Sequence, residues 1–365
     1  MKVLLLSAYD VASHRYWRKG LVSHLDMFDW QQLYLPPRHF NWRIRGNPLS
    51  WALSEQVTLS QHYDAIIATS MVDLATLKGL IPNLANTPSI VYFHENQFAY
   101  PLGTHQQYRI EPQMVTLYNG LTADKLVFNS EYNRTTYLVG IEQLLAKMPD
   151  CVPKGTVDQL FCKSQVIPVP LELAKRVKRA AFSAPLILVW NHRWEYDKGP
   201  ERLYAALLSL KKRDIDFRIH IIGQQFRQSP EIFAQIQNNF SEYIGKFGYL
   251  ENHHEYQHIL LESDLVISTA IHEFQGLAVM EAVALGCIPV VPDRLSYPEF
   301  FGQKYCYPSQ LENIDFEASG LCDKIGYWVN HLLNEQSVEA PDVSAYSWNS
   351  LAGRYQDILT NIAAD

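Results

Sequence analysis

At 365 residues the chain exceeds what a single hydrophobic core usually supports, so two domains are expected. Its 47% hydrophobic content, with no low-complexity tract or short repeat, excludes fibrous and disordered classes. The net charge of −7 is unevenly spread, with 14 basic and 13 acidic residues through Pro170 against 17 and 25 beyond it, which makes the first half the less repulsive partner for a polyanion.

Strand and helix signals alternate from the start. Residues 3–7 read as a strand and 14–25 as a helix; 65–68 form a buried strand followed by a helix at 72–80. Residues 89–93 and 125–128 are further strands, the second followed by a helix from 131. Residues 166–185, with prolines on both sides of a basic stretch, suit an interdomain linker. The pattern then restarts, with strands at 186–190, 217–222, 246–248, 264–268 and 288–291, and helices at 199–210, 230–240 and 253–261. Strands separated by helices predict parallel sheets. The expected architecture is α/β: two doubly wound, Rossmann-like domains facing across a cleft, residues 1–170 and 171–345. A last helix at 346–364, capped by Ser347, is expected to cross back to the first domain.

Cysteine number and spacing (Cys151, Cys162, Cys287, Cys306, Cys322) favour free thiols in a reducing compartment. The apolar run after Met1 is too short for a signal peptide, and no stretch is long enough to cross a bilayer, so a cytoplasmic protein with no membrane partner is expected.

Candidate chemistry lies at two predicted strand ends. After the strand at 264–268 comes His272-Glu273-Phe274-Gln275-Gly276-Leu277, and a helix opens at Gly276. Amides at a helix start suit phosphate, and Glu273 before it with Glu281 inside the helix suits a phosphate flanked by two hydroxyl-bearing sugars. After the strand at 186–190 comes Asn191-His192-Arg193-Trp194-Glu195-Tyr196-Asp197-Lys198-Gly199. Arg193 and Lys198 there would stabilise the charge growing on a diphosphate leaving group. Singly, each glutamate is equally compatible with a helix-capping or surface role, and the Arg193–Lys198 segment with a solvated loop.

Together, Arg193-x4-Lys198-Gly199 and Glu273-x7-Glu281 resemble the donor site of retaining GT-B glycosyltransferases of family 4, and the likeness extends over almost the whole chain. Within that family, Ser13-His14, Tyr92-Phe93-His94-Glu95-Asn96-Gln97, Asn191 to Glu195 and His272-Glu273-Phe274 resemble the tRNA-queuosine mannosyltransferases. The resemblance implies that Arg193 and Lys198 hold the diphosphate, Glu273 a donor-sugar hydroxyl and Glu281 the ribose. It places the amides of Gln275, Gly276 and Leu277 against sugar and phosphate, Gly248 and Tyr249 at the nucleobase, and His94 beside the transferred sugar. It also implies GDP-mannose as co-substrate, queuosine in the tRNA anticodon as acceptor, retention by front-face attack, and no cofactor. No metal is expected, because Arg193 and Lys198 supply the countercharge and no Asp-x-Asp is read. Two departures stand out: Phe274-Gln275-Gly276 replaces a small triplet, so Gln275 is expected to reshape the sugar pocket, and the first loop lacks the family's glycine pair. On the residues alone His94 also fits a core histidine.

Two stretches interleave cations with aromatics: residues 14–19, read as helical, and 36–45, read as a loop. They could track phosphates and stack on unpaired bases, or simply cover a hydrophobic patch. With the resemblance, they put Ser13, His14, Arg15, Arg43, Arg45 and Asn96 on the acceptor side. Three other readings remain: a transferase acting on a glycan, lipid or small molecule; an epimerase, which would need acid/base residues around the sugar; and a non-catalytic RNA-binding protein on the same scaffold.

Overall fold

The computed structural model describes residues 1–100, 110–173, 183–226, 229–334 and 339–364. Two compact units are present, one of Met1–Pro170 with Tyr346–Asp365, the other of Leu171–Ala345.

The first unit runs β1 (Lys2–Ser7), α1 (Ala12–His24), β2 (Asp29–Tyr34), α2 (Phe40–Ser54), α3 (Gln56–Leu59), β3 (Ala65–Thr69) and α4 (Leu74–Leu80). It continues through β4 (Ser89–Phe93), α5 (Ile110–Thr122), β5 (Lys125–Phe128), α6 (Glu131–Leu145), α7 (Thr156–Cys162) and β6 (Ser164–Val166). The strands form one parallel sheet in the order β2-β1-β3-β4-β5-β6. The chain crosses over β1 on its way from β2 to β3, so the direction of winding reverses between β1 and β3. Strands β3 and β4 are buried along their whole length, which is why their sequences are unbroken apolar runs. Edge strand β2 is polar and mostly half-buried, and carries no such signal.

The second unit runs β7 (Leu186–Asn191), α8 (Pro200–Lys212), β8 (Phe217–Ile222), α9 (Ile232–Asn239), β9 (Ile244–Gly248), α10 (His253–Glu262) and β10 (Leu265–Ile267). It ends with α11 (Leu277–Ala284), β11 (Ile288–Pro292), α12 (Tyr297–Phe301), β12 (Cys306–Tyr307) and α13 (Ile314–Leu333). Its sheet, β12-β11-β10-β7-β8-β9, is parallel throughout and has the strand order of a dinucleotide-binding fold, with the switch point between β7 and β10.

The final helix, α14 (Trp348–Ala364), belongs to the first unit. Ser347 caps it by accepting from the Ser350 amide (3.2 Å). The Trp348 ring lies flat on His24 (4.5 Å, 5°) and against Gly20, where an added Cβ would stand 2.1 Å from it. Further along, Tyr355 accepts from Trp17 Nε1 (3.2 Å) and donates to the Tyr92 hydroxyl (3.0 Å).

One expectation is corrected. Residues 36–45 are not a loop throughout, because α2 begins at Phe40 and carries Arg43 and Arg45. The helix tolerates Pro48 because Asn47 replaces the missing amide: its Nδ2 donates to the carbonyls of Arg43 (2.7 Å) and Ile44 (3.4 Å). The boundary between the units, at Pro170, falls within the 166–185 stretch, and residues 167–170 are buried: Tyr92 donates to the Ile167 carbonyl (2.9 Å), and the Tyr355 hydroxyl lies 3.0 Å from the Pro168 carbonyl. The basic stretch at 174–182 lies outside the described residues.

Candidate active site

The switch point of the second unit brings its two motif loops together. Trp190 in β7 donates to the hydroxyl of Thr269 just past β10 (2.9 Å), and that hydroxyl donates to the Lys198 carbonyl (2.8 Å). The Asp197 carbonyl accepts from the amides of Ile271 (2.8 Å) and His272 (3.1 Å). Trp194 anchors the first loop by stacking on Phe233 (4.1 Å, 11°). Gly199 turns the chain into α8 with φ +64°, and a Cβ there would meet the Thr269 carbonyl oxygen at 2.2 Å, so glycine alone allows the loops this close.

Lys198 is buried, and its Nζ contacts three oxygens: the His272 carbonyl at 2.8 Å, Glu273 Oε2 at 3.2 Å and Asp197 Oδ2 at 3.2 Å. Arg193 is exposed beside it, with Glu195 at 2.7 Å and Asp197 at 3.6 Å. Burial raises the Glu273 pKa, but Lys198 and two neighbouring imidazoles outweigh it, and the group falls to about 2. Burial, reinforced by Lys198, pushes His192 down to about 3 and His272 to about 4. At neutral pH the site therefore holds an ionised glutamate, neutral histidines and two cations, a setting suited to a diphosphate and a sugar hydroxyl.

Gly276 caps α11 in a left-handed conformation (φ +81°), and the first amides of that helix have no partner within it. Gln275 is buried with Nε2 3.6 Å from the Met280 sulfur, and Phe274 packs edge-on against His272 (4.6 Å). Both side chains of the larger triplet thus pack into the protein interior. Glu281, one helical turn into α11, accepts from the Tyr256 hydroxyl (2.6 Å), which in turn accepts from Asn191 Nδ2 (2.8 Å). Burial raises the Glu281 pKa. Gly248 ends β9, and Tyr249 beyond it is exposed. Contrary to expectation, the sequence does contain an Asp-x-Asp, Asp214-Ile215-Asp216. It precedes β8, at the opposite edge of the sheet from these residues.

A second polar cluster occupies the carboxyl edge of the first unit's sheet. His94 and Glu95 follow β4, Ser70 follows β3, and Asp10 and His14 follow β1. His94 is buried, stacked on His14 (4.1 Å, 20°) and touched at its edge by Trp17 (4.9 Å). Burial and the adjacent His14 hold its pKa well below 6.5, so it is neutral at physiological pH. Among the described residues, His94 Nε2 and His14 Nδ1 have no hydrogen-bond partner. Asp10 is buried; Arg18 and Arg15 outweigh that burial and lower its pKa. Ser13 and Arg15 are exposed on α1. Arg45 is half exposed and reaches the buried Asp73 (2.5 Å), whereas Arg43 donates to the Pro36 carbonyl (3.3 Å). Asn96 departs from its expected role. It is fully buried, with Nδ2 on Asn133 and Thr136 and Oδ1 accepting from the amides of Phe98 and Ala99, so it pins the loop rather than meeting a ligand.

Asn191, His192 and Asp197 are site residues whose only sequence signal is membership of the Asn191–Gly199 motif, and Tyr256 carries no signal beyond an aromatic on a helix. Among the described residues, no helix is long and apolar enough to cross a membrane.

The sequence of residues 2–171 matches the family described as tRNA-queuosine alpha-mannosyltransferase N-terminal, and 173–310 match glycosyl transferases group 1. A tRNA-queuosine alpha-mannosyltransferase of Drosophila melanogaster is 32% identical over 100% of this chain and 97% of its own. A GDP-mannose:cellobiosyl-diphosphopolyprenol alpha-mannosyltransferase of Xanthomonas oryzae is 21% identical over 53% of this chain and 51% of its own. In three dimensions, sucrose-phosphate synthase of Thermosynechococcus elongatus superposes with a TM-score of 0.74 at 14% identity, covering 100% of this chain and 99% of its own, which shows a shared GT-B fold. The chain is a glycosyltransferase, and by its full-length relationship to the Drosophila enzyme it belongs to the tRNA-queuosine alpha-mannosyltransferase family.

Proposed function

We propose that this protein transfers mannose, with retention of configuration, from GDP-mannose to queuosine in the anticodon of a tRNA. The observation that carries the donor side is the meeting of Lys198, Glu273 and the start of α11 at one switch point, with Arg193 beside them. Lys198 and Arg193 take the diphosphate, Glu273 a mannose hydroxyl, and Glu281, fixed by Tyr256, the ribose. The bond between the sugar carbon and the β-phosphate oxygen breaks as the acceptor oxygen bonds to the same face of that carbon, and the acceptor's proton passes to the departing phosphate oxygen. The two cations stabilise the charge that grows on that phosphate, so no metal or other cofactor is required. Both named relatives are mannosyltransferases, and one has GDP-mannose in its name, which supports the donor. The acceptor reading rests on the family and on the exposed Arg15 and Arg45 at the sheet edge that holds His94. A cytoplasmic setting fits a tRNA acceptor and five cysteines that form no disulfide.

The test is mass spectrometry of nucleosides from queuosine-containing tRNA incubated with the protein and GDP-mannose, with UDP-sugars in parallel. A hexose added to queuosine with GDP-mannose alone is expected. Donor binding without any such product would move the acceptor to a glycan, lipid or small molecule.

A further inference from the structure

Tyr34 ends β2 and is 55% exposed, and no part of the donor chemistry falls to it. One side of its ring is occupied: the guanidinium carbon of Arg18 lies 4.0 Å from the ring centroid. Arg18 is itself buried, with Nε and Nη2 on the two oxygens of Asp10 (3.0 and 2.9 Å) and Nη1 on Gln32 Oε1 (2.6 Å). The main chain is held as firmly. Tyr34 pairs with Ser7 in the register of β1 and β2, and the amide of Leu35 donates to the Ser7 carbonyl (2.9 Å). The Leu35 carbonyl in turn accepts from the Asp10 amide (3.0 Å). With one face on Arg18, the exposure of Tyr34 belongs to the opposite face and the edge. The ring is thus fixed before any ligand arrives and turned to solvent at the carboxyl edge of the sheet, where open α/β sheets bind ligands.

The neighbouring cation indicates the ligand. Asp10 Oδ2, which holds Arg18, also accepts from Nε of Arg15 (3.2 Å), and the Arg15 side chain is half exposed. One buried carboxylate therefore sets an exposed cation beside an exposed, preorganised ring. A neutral glycan could stack on the ring but would leave the cation unused. A single unpaired nucleotide uses both, its base on the ring and its phosphate on the guanidinium. Strand β2 lies three strand spacings, roughly 14 Å, from β4 and the His94 that follows it, beside which the mannose is expected. A base on Tyr34 is thus a neighbour of queuosine in the chain and not queuosine itself. We propose that Tyr34 is the stacking platform for an unpaired base flanking queuosine in the anticodon loop, with Arg15 on the adjoining phosphate. This rests on the tRNA-queuosine reading above and adds to it a contact that grips the loop around the modified base.

The test measures the affinity of the full-length protein for a queuosine-containing anticodon stem-loop. In parallel, each other unpaired loop nucleotide is made abasic in turn, which removes a base and keeps its phosphate. At one position the abasic loop should bind the wild type at least about fivefold more weakly, the low end of what one base–aromatic stack contributes. Tyr34→Leu should lose a similar factor on the intact loop and keep the wild-type slope of log affinity against log salt. It should lose little more when that same base is missing, so that the two losses do not add. Tyr34→Phe, which keeps the ring, should bind within about twofold of wild type, whereas Arg15→Ala should lower the salt slope by about 0.7. Circular dichroism checks that each variant keeps its fold. Tyr34→Leu binding within about twofold of wild type overturns this inference alone. So does a loss that adds in full to that of every abasic position, the pattern of a merely structural role. A wild type that binds the queuosine stem-loop no better than a fully paired RNA duplex of the same length overturns the acceptor reading and this inference with it.

Discussion

Lys198 reaches Glu273 across the gap between two neighbouring strand ends, Nζ to Oε2 at 3.2 Å, while bonding the main chain of His272 with the same ammonium. The contact keeps Glu273 ionised and sets the spacing of the two side chains before any substrate arrives. Lys198→Ala should therefore lower kcat by about 100- to 1,000-fold, the scale of losing one preorganised charge at a leaving group. Glu273→Ala should match it. Circular dichroism would check that both variants keep their fold, and turnover within a few-fold of wild type in either would refute the donor-site assignment.

Tyr256 links Asn191 to Glu281 through one hydroxyl. Tyr256→Phe removes that hydroxyl and leaves the half-buried Glu281 carboxylate short of a donor, at a cost of about 1 kcal/mol in stability. The ribose role proposed for Glu281 would be exercised alike in ground and transition states, so KM for the nucleotide-sugar should rise while kcat changes little. Urea unfolding and steady-state kinetics on the same preparation read both effects.

Acid should destabilise the protein well above the pH at which its carboxylates titrate. His192 and His272 are held neutral, at about 3 and about 4 against an ordinary 6.5. Below 6.5 the unfolded chain binds protons that the folded chain refuses, so stability falls with pH until the folded values are reached. From pH 7.5 to 5.5 each histidine should cost about 1.4 kcal/mol. Glu273, lowered from 4.5 to about 2, contributes stability that is complete above 4.5 and lost only below it, outside this window. Urea midpoints at the two pH values, compared with those of His272→Asn, check the histidine share; an unchanged difference in the variant would refute it.

Arg43→Ala combined with Arg45→Ala should weaken tRNA binding and lower the slope of log affinity against log salt by about 1.4, two single-strand phosphate contacts' worth. GDP affinity should be unaffected. An unchanged slope would remove α2 from the acceptor surface. Arg45→Ala alone should cost about 1 kcal/mol of stability, because the buried Asp73 loses its cationic partner and keeps only the amide and hydroxyl of Thr76.

Legibility followed burial. The apolar strands of both sheets and the glycines before α8 and α11 announce themselves in the sequence, and those features place Lys198 and Glu273 at one edge. Strand β2 does not, because an edge strand with one partner needs no apolar run. Helix α2 was hidden by Gly46 and Pro48, whose cost is offset by an asparagine contact that no propensity scale contains. Helix α13 was legible but overlooked: Ala318, Leu321, Cys322, Ile325 and Trp328 repeat at helical spacing, and Asn313 caps it. At the site, motif residues were visible by type, whereas Tyr256 and the stacking of His94 on His14 depend on segments far apart in the chain, and only the fold brings them together.

Helix α14 also has a bearing on synthesis. The sheet of the first unit is complete by Val166, but the hydroxyl of Tyr355 and the ring of Trp348, which close over Trp17, Tyr92 and Gly20, emerge from the ribosome some 180 residues later. The second unit is contiguous and can finish first. The first unit must wait, partly open, for a helix made after the whole of the second, and a ribosome that stalls before Trp348 would release a chain whose first unit lacks the helix that covers Trp17 and Tyr92.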